Sequence, residues 1–186
     1  MTELTDNELM LHVKAGDLDK MSLLFSQHHR SLYNFLYHMT HDKEASEDMV
    51  QNVFYRMLKY RHAYSGKGEF VTWMFHLARN VLKDGFKKKK RAGNYDELEE
   101  VSEKISGGIL ADEQLGKKQA QHQLYLALEK LNEQEREILV LNKLQELKYH
   151  QIAQVLNINE GAVKVRVHRA FNQLKTIYLK MEAHEM

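Results

Sequence analysis

Apolar residues recur every three to four positions over most of this chain. Leu24, Phe25, Leu32, Phe35 and Leu36 fall at helical spacing, as do Met49, Val53, Phe54, Met57 and Leu58, and Phe70, Trp73, Leu77 and Val81 follow at i, i+3, i+7 and i+11. The spacing predicts that these stripes form a helical core. Helix starts are marked by capping chemistry. Thr5 with Glu8 fits a reciprocal capping box, Asp17 and Asp42 can each accept from free amides of the next turn, and Asn132 with Glu135 repeats the box. Together the signals predict helices over 6–15, 18–40, 43–61, 70–90, 110–131, 133–144, 149–156 and 160–180. The expected fold class is all-α, with two small helical domains joined by a flexible acidic linker.

Composition narrows what such a chain can do. Its 186 residues include no cysteine, no proline and only nine glycines. Disulfide scaffolds, thiolate zinc sites and cysteine nucleophiles are excluded, and the abundance of Leu, Lys, Glu, Gln and Met favours helix. Met1 to Asn7 are polar and acidic, and no apolar run approaches the roughly 20 residues of a membrane span. The expectation is a soluble, cytoplasmic protein with no signal peptide and no membrane insertion of its own.

A net charge of +1 conceals a segregation along the chain. Residues 1–91 carry 15 basic and 11 acidic side chains, 92–122 carry 3 and 7, and 123–186 carry 9 and 8. The acidic stretch opens after the run Lys87, Lys88, Lys89, Lys90, Arg91. It holds Asp96, Glu97, Glu99, Glu100 and Glu103, then Ser106, Gly107 and Gly108, a composition that cannot bury much apolar surface. The domain boundary is placed there, giving 1–91, a linker over 92–122, and 123–186. In the free protein the linker could fold over the basic run, or it could be a solvated tether.

The C-terminal stretch carries the most specific pattern. Ile152, Ala153, Val155 and Leu156 form a short apolar face, and Asn157, Ile158 and Asn159 a tight turn. Val163, Val167, Ala170 and Leu174 then fall at i, i+4, i+7 and i+11 of a second helix. This is the pattern of a helix-turn-helix. Asn157 suits a left-handed residue ending the first helix, Ile158 plugs the corner, and Asn159 can cap the second. At about 100° per residue, the opposite side carries Gly161, Lys164, Val165, His168, Arg169 and Asn172. Lys164 and Arg169 can meet phosphate or guanine edges, Val165 a thymine methyl, and Gly161 lets the backbone approach the sugar-phosphate chain. The alternative is a helical hairpin with a merely solvated outer face, against which stand Gly and Val beside two cations.

A second candidate lies within 60–91. Tyr60, Tyr64, Phe70, Trp73 and Phe75 interleave with Lys67, Arg79, Lys83 and the basic run, around a loop of Ser65, Gly66, Lys67 and Gly68. Aromatic rings beside cations suit unpaired nucleic acid, where a base stacks on a ring while lysines follow the phosphates. Phe70, Trp73, Leu77 and Val81 also make an ordinary helix stripe, so most rings are expected in the core, with Tyr64 and the loop exposed.

These residues resemble a known family. The stretch from Leu24 to Arg91 contains Glu47-Asp48-Met49-Val50-Gln51-Asn52-Val53-Phe54, Phe70-Val71-Thr72-Trp73 and Ala78-Arg79-Asn80 with Asp84. It resembles region two of a bacterial RNA polymerase sigma factor of the extracytoplasmic-function group. Leu131 to Leu174, with Arg136, Gln151-Ile152-Ala153, Gly161-Ala162-Val163-Lys164 and Arg166-Val167-His168-Arg169-Ala170, resembles region four. The resemblance implies that the first domain binds the beta-prime clamp of core RNA polymerase and helps to open the minus-ten element, while the second contacts the beta flap and reads the minus-thirty-five element as duplex. Asp48, Met49, Gln51 and Asn52 would face the polymerase. The loop from Tyr64 to Glu69 would receive a flipped base, with Tyr64, Lys67, Asn80, Lys83, Lys87 and Lys88 on minus-ten DNA. Gly161, Lys164, Val165, Arg166, His168 and Arg169 would read the upstream element. The partners implied are core RNA polymerase, promoter DNA and an anti-sigma factor, free or membrane-bound, with no catalysis, cofactor or metal.

The chain departs from the family pattern at several points. Asn52 stands where glutamate is common, Asn132 for a usual proline, Lys148 for a Ser or Thr cap, and Asn157 for glycine. Val165 stands for a small polar residue on the reading face, so base preference is not transferable from relatives. His38 and His41, near His28 and His29, look like a metal cluster in a bundle, but no Glu-x-x-His pair faces inward. A regulator that binds DNA without polymerase would bind its operator tightly alone, as a dimer.

Overall fold

The computed structural model describes residues 4–91 and 112–185, and nearly all of the described chain is helical. The elements are α1 (Asp6–Ala15), α2 (Lys20–Thr40), α3 (Lys43–Lys59), a 3-10 turn (Arg61–Ala63), α4 (Phe70–Arg91), α5 (Asp112–Glu129), α6 (Glu133–Leu139) continued by a π-helical turn (Val140–Leu144), α7 (Tyr149–Leu156) and α8 (Glu160–Glu185). The acidic residues Asp96 to Glu103, and with them the idea that they fold over the basic run, lie outside the described residues.

Most predicted caps form. Thr5 accepts from the Glu8 amide while the Glu8 carboxylate reaches back to the Thr5 amide, and burial of Leu9, Met10 and Val13 holds the short helix down. The Asp42 side chain accepts from the Ala45 amide at 3.0 Å, and Asn132 accepts from the Glu135 amide at 2.9 Å.

Four local expectations need correction. Asp17 is not the cap of α2, because residues 17–19 turn through backbone bonds and the helix begins at Lys20 with no side-chain cap. Phe25 is 42% exposed rather than buried, lying against His29 and Phe54 at the surface. The third helix stops at Lys59, and 61–63 tighten into a 3-10 turn. The single helix predicted over 133–144 widens to π geometry at Val140.

The helices form two groups. In the first, α1 to α4 enclose Leu24, Leu32, Phe35, Leu36, Val53, Met57, Met74 and Phe75, with Phe35 and Phe75 meeting edge to face at 5.5 Å. Each such side chain contributes about 1.5–3 kcal/mol relative to leaving it in water. In the second, α6 and α7 pack on α8 around Ile138, Leu139, Ile152, Val155, Val163, Val167 and Ala170.

The two groups also touch, α4 against α7 and α2 against α6 and the π turn. Polar bonds cross this contact. Arg79 Nε donates to Glu137 Oε1 at 2.8 Å, Ser31 Oγ to Gln145 Oε1 at 2.5 Å, and the Glu69 carboxylate meets both His150 and Gln151.

Candidate nucleic-acid interface

The helix-turn-helix forms as its residues dictate. Asn157 ends α7 at φ 56°, ψ 50°, a left-handed conformation that Asn tolerates better than most residues. Asn159 Oδ1 accepts from the Ala162 amide at 2.7 Å, starting α8. Lys148 offers no acceptor to its helix, so α7 starts on the other half of a box, with the Lys148 amide donating to Gln151 Oε1 at 2.6 Å. Val163, Val167, Ala170 and Leu174 are buried, which turns Gly161, Lys164, Val165, His168, Arg169 and Asn172 outward, all exposed. Arg166 is exposed as well but stands on the flank, about 100° round the helix from Val165. No side-chain bond spans Lys164, Val165 and Arg169 among the described residues, and His168 pairs with Asn172 at 3.1 Å. The face presents cations, one methyl-bearing side chain and a bare Cα at a helix N-terminus.

The second candidate site differs from expectation at its centre. Tyr64 is 3% exposed. Its ring packs against Trp73 at 4.9 Å and Phe70 at 6.4 Å, its hydroxyl donates to Asn7 Oδ1 at 2.5 Å, and burial pushes its pKa up to about 12. Tyr64 is therefore a wall of the site and not a free stacking surface, because α1, whose sequence announced no such role, covers it. The exposed part of the loop is Ser65, Lys67, Gly68 and Glu69.

Next to the loop is a cavity of about 260 Å³, lined by Ala63, Tyr64, Ser65, Gly68, Glu69, Thr72, Trp73 and His76, with Gln154 of α7 at its rim. That is just below the roughly 300 Å³ at which sites for drug-sized molecules begin. Thr72 Oγ1 is buried in this lining with no hydrogen-bond partner among the described residues. Beyond the cavity Asn80, Lys83 and Lys87 share one face of α4 with His76, a member that the i, i+4, i+7, i+11 spacing could have supplied. Lys88 lies about 100° away from Lys87. Arg79, read as one of the interleaved cations, is turned instead to Glu137.

On α3, Asp48, Gln51 and Asn52 form an exposed strip that continues to Tyr55, 61% exposed. Met49 is half-buried beside Gly85, where an added Cβ would come within 2.5 Å of its methyl. Asn52 Oδ1 accepts from Arg56 Nε at 3.1 Å, and Arg56 in turn holds Asp84 at 2.8 Å, bracing the strip from α4.

His38 in the last turn of α2 and His41 at its C-cap lie between the two groups. His38 lies against Tyr125, and burial, then His41 and Arg136, lowers its pKa to about 4. Arg136 Nη1 donates to His41 Nε2 at 2.9 Å. An arginine only donates, so His41 carries its proton on Nδ1, which faces Glu129 at 3.2 Å. Burial and then Arg136 lower the His41 pKa too. Both rings are held neutral, and among the described residues no group of three or more His, Cys, Asp or Glu is arranged to hold a metal ion.

A histidine whose folded pKa lies below 6.5 makes the unfolded chain bind more protons in acid, so stability rises with pH. The contribution of His38 is therefore complete above about pH 6.5 and is lost as the pH falls toward 4, at up to about 1.4 kcal/mol per pH unit. Thermal melting between pH 7.5 and 5 is expected to show this fall, and His38→Gln to flatten it.

Known proteins match over both sites. Residues 24–92 match the family description Sigma-70 region 2, and 121–174 match Sigma-70, region 4. The ECF RNA polymerase sigma factor SigX of Bacillus subtilis is 28% identical over 163 residues, covering 84% of this chain and 82% of that protein. SigW of the same organism is 26% identical over 170 residues, 88% and 91% of the two. CnrH, solved in complex with the cytosolic domain of CnrY, shares the fold with a TM-score of 0.71 at 18% identity over 92% of this chain and 96% of that one. RpoE of Bartonella quintana, solved with the anti-sigma factor NepR, does so at 0.68 and 20% over 84% and 94%. No helix among the described residues is long and apolar enough to cross a membrane. With region two and region four in series, the chain belongs to the sigma-70 family of RNA polymerase sigma factors, in its extracytoplasmic-function group, whose members direct promoter-specific initiation.

Proposed function

We propose that this chain joins core RNA polymerase in the cytoplasm as a non-catalytic specificity subunit and reads a promoter at two places. The α3 strip of Asp48, Gln51, Asn52 and Tyr55, with Met49 behind it, docks on the beta-prime clamp. The outward face of α8, Gly161 to Arg169, enters the major groove of the minus-thirty-five element while its module rests on the beta flap. The loop from Tyr64 to Glu69 receives an unpaired base of the minus-ten element in the cavity beside it, which Gln154 borders only while the modules touch, with Lys67, Asn80, Lys83, Lys87 and Lys88 along the strand. The observation that carries the reading is the pairing of an uncommitted groove-sized helix face with a base-sized cavity whose lining includes an unpaired hydroxyl, Thr72 Oγ1.

Magnitudes explain why a larger enzyme is needed. Unstacking costs about 1.4 kcal/mol per base-pair step, whereas a captured base returns about 1–3 kcal/mol, so a bubble of several steps is beyond this chain alone. Geometry adds a second requirement. Elements roughly 25 base pairs apart at 3.4 Å each are about 85 Å apart, yet the two modules are in contact here. Reading both elements therefore requires the modules to separate, freeing Glu69 and the cavity rim. A partner that keeps them together would silence the factor, and an anti-sigma protein, membrane-bound or free, is proposed as that partner.

Run-off transcription from genomic fragments with core polymerase tests the reading. Adding this chain is expected to give RNA from defined starts, and Asp48→Ala with Gln51→Ala to impair holoenzyme assembly while sparing the fold. Absence of defined starts overturns it, and tight dimeric binding of the chain alone to duplex operator DNA would favour a free-standing regulator.

A further inference from the structure

The α1 helix lies ahead of the residues that either family description matches, 24–92 and 121–174, yet it holds the loop of the candidate base site at every turn. The Asn7 side chain makes three bonds to it. Its Oδ1 accepts from the Tyr64 hydroxyl at 2.5 Å and from the Phe70 amide at 2.8 Å, and its Nδ2 donates to the Gly68 carbonyl at 3.1 Å. Lys14 Nζ donates to the Tyr64 carbonyl at 2.6 Å. Between them Leu11 closes over Gly66, whose φ of +69° suits glycine and where an added Cβ would stand 3.1 Å from a Leu11 methyl. Asn7, Leu11 and Lys14 fall at i, i+4 and i+7, one face of one helix.

We propose that Asn7 is a positioning residue for promoter opening, acting through the loop: by fixing residues 64, 68 and 70 at once it keeps the base-receiving cavity formed before DNA arrives. The inference rests on the proposed role of this loop in base capture. Its physical basis is the ordering cost of a segment as short of side chains as Ser65-Gly66-Lys67-Gly68. A loop already fixed in the free protein does not charge that cost to the binding step, and a loop released from α1 does. An asparagine amide is the side chain that meets the three demands together, since it accepts twice and donates from the same planar group. Aspartate can satisfy Tyr64 and Phe70 but sets a carboxylate oxygen against the Gly68 carbonyl.

The test uses holoenzyme reconstituted from core polymerase and the full chain, carrying Asn7→Leu, Asn7→Asp or Lys67→Ala. The probe is fork DNA whose minus-ten element is single-stranded and holds 2-aminopurine at successive positions, so that fluorescence reports a base leaving the stack. Asn7→Leu is expected to weaken capture roughly ten- to hundredfold and to blur the preference among bases at the captured position. Asn7→Asp, which keeps two bonds and the fold, should give a smaller loss with the same blurring. Affinity for core polymerase and for duplex upstream DNA should stay within about twofold of wild type, which a general loss of structure would not allow. If both Asn7 variants capture and discriminate bases as wild type does while Lys67→Ala fails, the positioning role is wrong and the base-capture reading stands. If Lys67→Ala and a loop with residues 65–68 all changed to alanine also behave as wild type, the base-capture reading itself falls.

Discussion

Replacing Glu137 by alanine is expected to move the free chain from closed to open. In the closed arrangement Arg79 gives Glu137 two bonds, Nε to Oε1 at 2.8 Å and Nη2 to Oε2 at 3.4 Å, with side chains 22% and 11% exposed. Removing the carboxylate strands a guanidinium in a site mostly shut to water. Breaking a fully buried pair costs about 3–5 kcal/mol, and the residual exposure of Arg79 reduces that here to about 2 kcal/mol. The chain need not stay closed, because separation returns Arg79 to solvent, so the cost is read in the docking equilibrium rather than in the folding of either module. About 2 kcal/mol is a shift of roughly thirtyfold. Energy transfer between dyes on α3 and α8 should show the distance lengthen, and the swap Arg79→Glu with Glu137→Arg should shorten it again. Since apparent affinity scales with the competent fraction, the opened variant should also bind core polymerase more tightly. An unchanged distance in Glu137→Ala would mean that this pair does not hold the modules together.

That contact is also where sequence reasoning stopped. The helices were legible because their stripes and caps are local: Thr5 with Glu8, Asp42, Asn132, Asn157 and Asn159 act within four residues of themselves. The outward face of α8 was legible for the same reason, since burial of Val163, Val167, Ala170 and Leu174 determines what the other side exposes. Tyr64 was misread because its burial depends on Asn7, 57 positions away, and no periodicity within 60–91 carries that information. Arg79 was misread likewise. A cation among aromatics looks available for phosphate until Glu137, 58 positions on, occupies it. Each failure is a long-range pairing of a polar group, the kind of interaction that burial demands and that spacing does not encode. Tyr55 and His76 are different, being extensions of strips already found at i+4 or i+7, and were available to the same arithmetic.

Replacing Lys164 and Arg169 together by alanine should have the largest effect on promoter choice. Both side chains are exposed on the outward face of α8. If each meets a base edge, each change costs about 1–3 kcal/mol, whereas a phosphate contact weakens all sequences alike and lowers the salt slope by about one. Five residues at 1.5 Å per residue separate them by about 7.5 Å, near the distance beyond which effects add. The pair should therefore cost about 2–6 kcal/mol, or roughly thirtyfold to tens of thousands-fold, in initiation from promoters that depend on the upstream element. Holoenzyme assembly should be untouched, because the α3 strip lies in the other helix group. Single variants assayed across salt concentrations separate the two kinds of contact: a changed slope with unchanged base preference marks phosphate, and the reverse marks a base edge. Val165→Ser belongs in the same series, since removing its methyls (49% exposed) should relax any preference for thymine without altering the slope. If the double variant loses polymerase binding in proportion to promoter use, then the two surfaces are not separate and α8 does not act as an independent reading helix.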